Sequence, residues 1–167
     1  MKIITACGVV VLLSVSGVVR AQEANSVYID QIGDVSKVTI IQEGSRNRVG
    51  ESATVRAILG GARGAATITQ RGNENAVSRF VTVEDGGNVL NLLQQGDRNS
   101  YSYGRTVGAN NTISLNQIGS GNDAVTWIGG EANLLTILQE GRDNTASLAA
   151  AGSENRLTAA SKGDRNK

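Results

Sequence analysis

The chain has 167 residues, with 21 Gly, no Pro, no His, one Cys and five aromatic residues, and its 16 Lys and Arg nearly balance 15 Asp and Glu. That length suits one domain, yet so few rings exclude an aromatic core and leave small and β-branched side chains to do the packing. The usual nucleophile–base pairs and Cys/His metal sites are missing, and no basic excess is present to attract nucleic acid.

Residues 1–21 read as a secretory signal peptide: Lys2 is the charged start, Val9 to Val15 lies within an apolar run, and Val19 to Ala21 offers small residues near a cleavage site. The run is short for a membrane span. It contains Cys7, so the mature chain would carry no thiol, and loss of Lys2 and Arg20 would leave 14 basic residues against 15 acidic ones. Residues 22–24 form a short N-terminal segment before a repeat array over 25–167.

Each unit of the array is a strand of about six residues with one buried face, closed by a Gly-x-x-Asn turn. In the first unit Asn25, Val27, Ile29 and Gln31 lead to a turn from Gly33 to Ser36; in the second, Ser36, Val38, Ile40 and Gln42 lead to Gly44 and Asn47. The step is then lost. Residues 48–63 hold no Gln, carry Glu51 and Arg56, and predict one degenerate strand plus an irregular insertion near 53–63. The pattern resumes with Ala66, Ile68 and Gln70 and the turn Gly72 to Asn75. The unit from Asn75 is overlong, with Arg79 in mid-strand, and predicts a bulge before Asn88. Asn88, Leu90, Leu92 and Gln94 restore the register and lead to Gly96 and Asn99. The unit from Asn99 allows two registers, one turning Tyr101 and Tyr103 inward and one turning Ser102 and Gly104 inward, because a one-residue slip exchanges the faces. From Gly108 the step of eleven does not fail: Gly108, Gly119, Gly130, Gly141, Gly152 and Gly163 each stand three residues before Asn111, Asn122, Asn133, Asn144, Asn155 and Asn166. Gly supplies positive φ at such turns, and Asn tolerates it and bonds the local backbone.

Gln recurs late on the inward face at Gln42, Gln70, Gln94, Gln117 and Gln139, in every second unit, and only Gln31 breaks the alternation. The intervening units offer Ala53, Val81 or Val83, Arg105 or Thr106, Ile128 and Ala150 there. The natural repeat is therefore two unlike strands. This predicts an all-β fold, a β-solenoid of about six coils of about 22 residues, forming two stacked parallel sheets. Gln31, Gln42, Gln70, Gln94, Gln117 and Gln139 are the candidate amide ladder, in which each side chain donates to one neighbour and accepts from the other. Asn25, Asn47, Asn75, Asn88, Asn99, Asn111, Asn122, Asn133, Asn144 and Asn155 are the candidate turn ladder. Gly33, Gly44, Gly72, Gly96, Gly108, Gly119, Gly130, Gly141, Gly152 and Gly163 are the turn glycines. No polar capping unit is evident at either end of the array, so a second copy is expected to stack head to tail into a cross-β fibre.

The phrase Asn/Ser-x5-Gln-x-Gly-x-x-Asn, seen over 25–36, 36–47, 88–99, 111–122 and 133–144, resembles the curlin repeat of bacterial curli fibres over roughly residues 25 to 166. The resemblance implies a secreted functional-amyloid subunit of a biofilm matrix, exported by curli-type outer-membrane machinery and assembled on the cell surface for adhesion. Its implied partners are further copies of itself and other curlin subunits. No cofactor, nucleic acid or small-molecule substrate is implied. Two departures stand out: only Gln22 to Ala24 could serve as the segment that directs export, and half the units lack Gln, the last two having Ala150 and Ser161. Both fit a minor, nucleator-like member better than a major subunit.

A monomeric secreted β-solenoid, acting as an adhesin or glycan binder, is the alternative reading. Ice binding would need a regular outer row of Thr, which Thr39, Thr67, Thr69, Thr112 and Thr136 are not expected to form. Glu43, Glu84, Asp85 and Glu140 are scattered, and a face of stacked strands has no enclosed pocket, so an enzyme is not expected.

Overall fold

The computed structural model describes residues 9–14, 24–32, 37–52, 57–60, 63–83 and 86–167. Alternating apolar and polar residues with Gly at the corners leave the backbone extended, and the described residues hold fifteen strands and no helix. The early strands are β1 (Val9–Ser14), β2 (Ser26–Val27), β3 (Ile29–Ile32), β4 (Lys37–Glu43), β5 (Arg48–Val49) and β6 (Ala57–Gly60). Then come β7 (Ala65–Arg71), β8 (Ala76–Val83), β9 (Val89–Gln95), β10 (Ser100–Val107) and β11 (Thr112–Ser120). The last four are β12 (Asp123–Gly129), β13 (Leu134–Arg142), β14 (Thr145–Ala151) and β15 (Arg156–Lys162).

From β6 onward successive strands join opposite sheets, so each pairs with the next but one, while β2 with β3 and β5 with β6 divide single levels of the second sheet. The first sheet runs β1-β4-β7-β9-β11-β13-β15; the second runs β14-β12-β10-β8-β5-β2, with β6 pairing both β3 and β8. Every pairing is parallel. The result is the expected β-solenoid, in which the chain returns to the first sheet five times after β4.

The core lies between the two sheets. Val38, Ile40, Ala66, Ile68, Leu90, Leu92, Ile113, Leu115, Leu135 and Ile137 come from the first sheet and are at most 3% exposed. They pack against smaller inward side chains of the second, among them Val49, Ala57, Val77, Ala124, Ile128 and Ala150. Every level repeats the same apolar contacts, so burial grows in proportion to the number of coils and no single large residue is required.

Three local features differ from the sequence expectations. Ala57–Gly60, expected inside an irregular insertion, form β6. Its backbone lies on the same level as β5, because Val49 is opposite Val27 and Ala57 is opposite Ile29. One residue, Tyr28, separates those partners, so the extra chain is confined to residues 50–56, of which 53–56, including Ala53, lie outside the described residues. Second, β10 adopts neither of the two competing registers whole. Tyr101 points inward, a bulge at Ser102 switches the face, and Gly104 and Thr106 are then buried while Arg105 is exposed. The reason is packing: a Cβ on Gly104 would lie 2.2 Å from the Tyr101 hydroxyl oxygen and 2.7 Å from the Phe80 ring. The strand must therefore present its glycine beneath the Tyr101 ring. β8 carries the matching extra residue, which buries Phe80 and Thr82 rather than Val81.

Third, the outer face of the first sheet does carry a row of polar side chains. Thr39 is in register with Thr67, Thr67 with Asn91, Asn91 with Ser114, Ser114 with Thr136 and Thr136 with Thr158. The threonines thus share one column, interrupted by Asn91 and Ser114, which their uneven spacing in the sequence concealed.

Candidate functional site: stacked amide columns and the open edge

Parallel in-register stacking places identical side chains one inter-strand step of about 4.8 Å apart, the spacing at which one primary amide reaches the next. Gln42 donates from Nε2 to Oε1 of Gln70 at 2.7 Å, Gln70 to Gln94 at 2.8 Å, Gln94 to Gln117 at 2.9 Å and Gln117 to Gln139 at 2.9 Å. All five side chains are wholly buried. Each Nε2 has a second proton, which goes to a backbone carbonyl at the strand–turn corner, such as Arg48 for Gln70 and Asp123 for Gln139. A buried amide that would be costly alone is thus satisfied through its neighbours.

The column has a polarity. Its amide hydrogens all point along the chain direction, so the first member is left with an unused acceptor: Gln42 Oε1 is buried and has no hydrogen-bond partner among the described residues. At the other end the residue in register below Gln139 is Ser161, which is half-buried. Gln31 is not a member. Its backbone lies in the second sheet opposite Leu59, on the far side of the core from Gln42.

The asparagines form two columns, one at each corner of the coil. Asn25, Asn47, Asn75, Asn99, Asn122 and Asn144 stack at the corner that follows the first sheet. Asn166 extends this column, donating from its backbone N–H to Asn144 Oδ1 at 3.0 Å. It was absent from the sequence-derived set although Gly163 and Asn166 carry the same turn spacing. Asn88, Asn111, Asn133 and Asn155 stack at the opposite corner. From Asn47 onward each Oδ1 followed by another Asn accepts both that residue's backbone N–H and its side-chain Nδ2, as Asn47 does from Asn75 at 3.1 and 3.0 Å, whereas Asn25 accepts only the Asn47 backbone N–H. Each inner Nδ2 also reaches the glycine carbonyl of the next turn, as Asn75 does to Gly96 at 2.7 Å.

The turn glycines stack directly. A Cβ on Gly44 would meet the Gly72 carbonyl oxygen at 2.1 Å, and the same approach recurs from Gly72 to Gly96, Gly96 to Gly119, Gly119 to Gly141 and Gly141 to Gly163. At the second corner it recurs from Gly108 to Gly130 and from Gly130 to Gly152. Gly33 lies outside the described residues. Positive φ is not confined to glycine: the residue before each turn Asn is also left-handed, including Arg46, Glu74, Arg98, Ala132 and Glu154. Three ion pairs join adjacent levels at the turns and adjoining strand ends, Glu43 with Arg71 at 3.1 Å, Arg46 with Glu74 at 3.1 Å and Glu140 with Lys162 at 3.5 Å, while Gln95 and Ile118 occupy the two levels between Arg71 and Glu140.

The columns stop at β15, beyond which no described strand pairs. Leu157, Ala159 and Ser161, the inward residues of this last level, are half-buried where their counterparts Leu135, Ile137 and Gln139 are closed over. Gly163, with nothing stacked beyond it, has open space at its Cβ apart from Asn166 Nδ2 at 3.8 Å.

Residues 130–163 match the family model of the curlin associated repeat. No curated protein and no solved structure matches the chain. The matched stretch runs from Gly130 through β13, β14 and β15 to Gly163, and the Gln, Asn and Gly columns that pass through it continue in register back to β4. That match supports a curlin-type repeat over residues 130–163.

Proposed function

We propose that the chain is a structural subunit of an extracellular curli-type fibre, growing by end-to-end stacking of solenoids into cross-β. The observation that carries this reading is the in-register stacking of Gln, Asn and Gly columns, whose every inner member is satisfied from the next level and which run to β15, an edge that pairs with no further described strand. An edge of this kind templates another strand, and a solenoid repeat offers a second copy the same spacing and chemistry that it offers itself. On this reading the chain is secreted, passes through curli-type export machinery and takes a place in biofilm matrix and adhesion, as the curlin-type repeat implies. The loss of Gln after Gln139 favours a minor, nucleating subunit over a major one.

The test is assembly of the purified mature protein, without the predicted signal residues 1–21, followed by thioflavin-T fluorescence and fibre diffraction. Growth with a meridional reflection near about 4.8 Å is expected. A monomer that persists at high concentration overturns the reading. Acceleration of a major curlin by small amounts of this protein tests the nucleating role.

One observation favours a monomeric adhesin or glycan binder as a second reading. The outer face of the first sheet has a shallow trough in which Thr67, Asn91, Ser114 and Thr136, able to bond sugar hydroxyls, lie beside the apolar Leu93 and Leu138. Saturable binding of a soluble glycan by monomeric protein, lost on replacing Ser114 and Thr136 by Val, is the result that reading requires.

A further inference from the structure

The upper edge of the first sheet is occupied by β1. Val9–Ser14, which lie in the predicted signal segment, pair in parallel with Lys37–Glu43, placing Val10 opposite Thr39 and Leu13 opposite Gln42. The match is incomplete. Leucine has no polar hydrogen, and Gln42 Oε1 remains buried without a donor. Ser14, an uncharged residue, stands opposite Glu43, whose partner on the other side is the cation Arg71.

We propose that β1 is an intramolecular plug on the surface where β15 of a second copy docks, so that the chain is held from polymerising while Val9–Ser14 remains in place. This rests on the assembly reading above. The repeat sets the register. Continuing the first sheet past β15 with a new β4 puts Thr158 beside Thr39, Ser161 beside Gln42, Lys162 beside Glu43 and Gly163 over Gly44. Ser161 brings a hydroxyl to the orphaned Gln42 oxygen; it makes no hydrogen bond within its own described chain. Lys162, already facing Glu140, brings a positive charge to Glu43 from the side opposite Arg71. Arg156 would fall beside Lys37, a like-charge pair at exposed positions where solvent screens it. The second copy therefore supplies the donor and the charge that β1 lacks, while both use the same backbone edge. β1 and β15 cannot occupy it together.

The experiment uses the full chain with Cys7→Ser, with and without Val11→Pro/Leu12→Pro. Of two consecutive residues in a parallel strand one directs its N–H into the ladder, so the proline pair removes a donor whichever register side it falls on. Unplugging is expected to speed elongation from preformed seeds by about tenfold or more, since only the open fraction can add. In the unplugged chain, Thr39→Cys/Thr158→Cys should give intermolecular disulfide ladders in fibres, because adjacent parallel strands bring Cα atoms within bonding range, while either single variant gives none beyond dimers. Gly163→Ala should leave the monomer folded by circular dichroism yet stop elongation, since its methyl would meet the Gly44 carbonyl of the incoming copy as closely as the inner glycines meet theirs.

Equal elongation rates with and without the proline pair overturn the plug. Fibres of the double-cysteine variant that form no disulfide between positions 39 and 158, or normal growth of Gly163→Ala, overturn the docking register while leaving end-to-end assembly standing. Absence of fibres from the unplugged chain overturns the assembly reading and this inference with it.

Discussion

Gln94 donates from Nε2 to Oε1 of Gln117 at 2.9 Å, and both side chains are wholly buried although the two residues are 23 apart in the chain. The bond is one link of a directional chain, so its members are not equivalent. Gln94→Leu leaves Gln117 Oε1 without its donor and takes the acceptor from Gln70 Nε2, which keeps only the Arg48 carbonyl. A cost of about 2–4 kcal/mol is expected. Gln42→Leu removes one orphaned acceptor and creates another at Gln70, so its cost should be about 1 kcal/mol or less. Denaturant unfolding of the two variants measures the order, and equal losses would contradict the directional column.

Stacked glycines give a second contrast. Gly72→Ala drives a methyl to 2.1 Å from the Gly96 carbonyl oxygen at φ +113°, so two levels must separate, and a loss above about 3 kcal/mol is expected. Gly152→Ala meets nothing nearer than Asn155 Nδ2 at 3.8 Å. Its expected loss is the backbone strain alone, about 1–2 kcal/mol. Thermal melting of both variants checks the difference.

Left-handed backbone at non-glycine turn residues is a removable cost. Ala132 has φ 55° and an exposed side chain, and the equivalent residue one turn earlier at the other corner is Gly121 with φ 68°. Ala132→Gly trades local strain against the greater freedom of glycine in the unfolded chain, and a net gain of about 0.5–1 kcal/mol is expected. A lower midpoint in urea would show the turn strain to be negligible.

Tyr101 makes the fold sensitive to alkali. Burial pushes its phenol well above the ordinary value of 10, with the hydrogen bond to Thr126 pulling weakly the other way. The unfolded chain releases this proton first, so the stability Tyr101 contributes is fully present below pH 10 and falls above it, by about 1.4 kcal/mol per pH unit. Tyr101→Phe removes that slope while leaving Thr126 short of a partner. Unfolding free energy measured from pH 9 to pH 11.5 separates the two effects.

Much of this architecture is legible in the residues. Gly130, Gly141, Gly152 and Gly163 stand eleven apart because each turn must clear the carbonyl of the next, and Gln117 and Gln139 stand 22 apart because a buried amide is satisfied only by its like. Stacking forces equivalent positions to solve the same problem, so the period of the coil is written along the chain. The failures have causes of the same kind. Gln31 carries the right residue and the right local phrase, but the level on which it sits belongs to the other sheet, and no local phrase records sheet membership. Thr39, Thr67, Thr136 and Thr158 share a column that the unequal lengths of the intervening units disguised.

The residues alone determined the strand-and-turn unit, the two-strand coil and the amide, asparagine and glycine columns, because short-range spacing dictates which side chains lie at equivalent places in a repeat. Only the tertiary structure decided where the irregular units absorb their extra residues, which acceptor the Gln column leaves unused, and that Val9–Ser14 lie on the edge of Lys37–Glu43. Those outcomes depend on contacts between levels: the Tyr101 ring over Gly104, the shared direction of the amide hydrogens, and an open parallel edge that pairs with whichever strand can reach it.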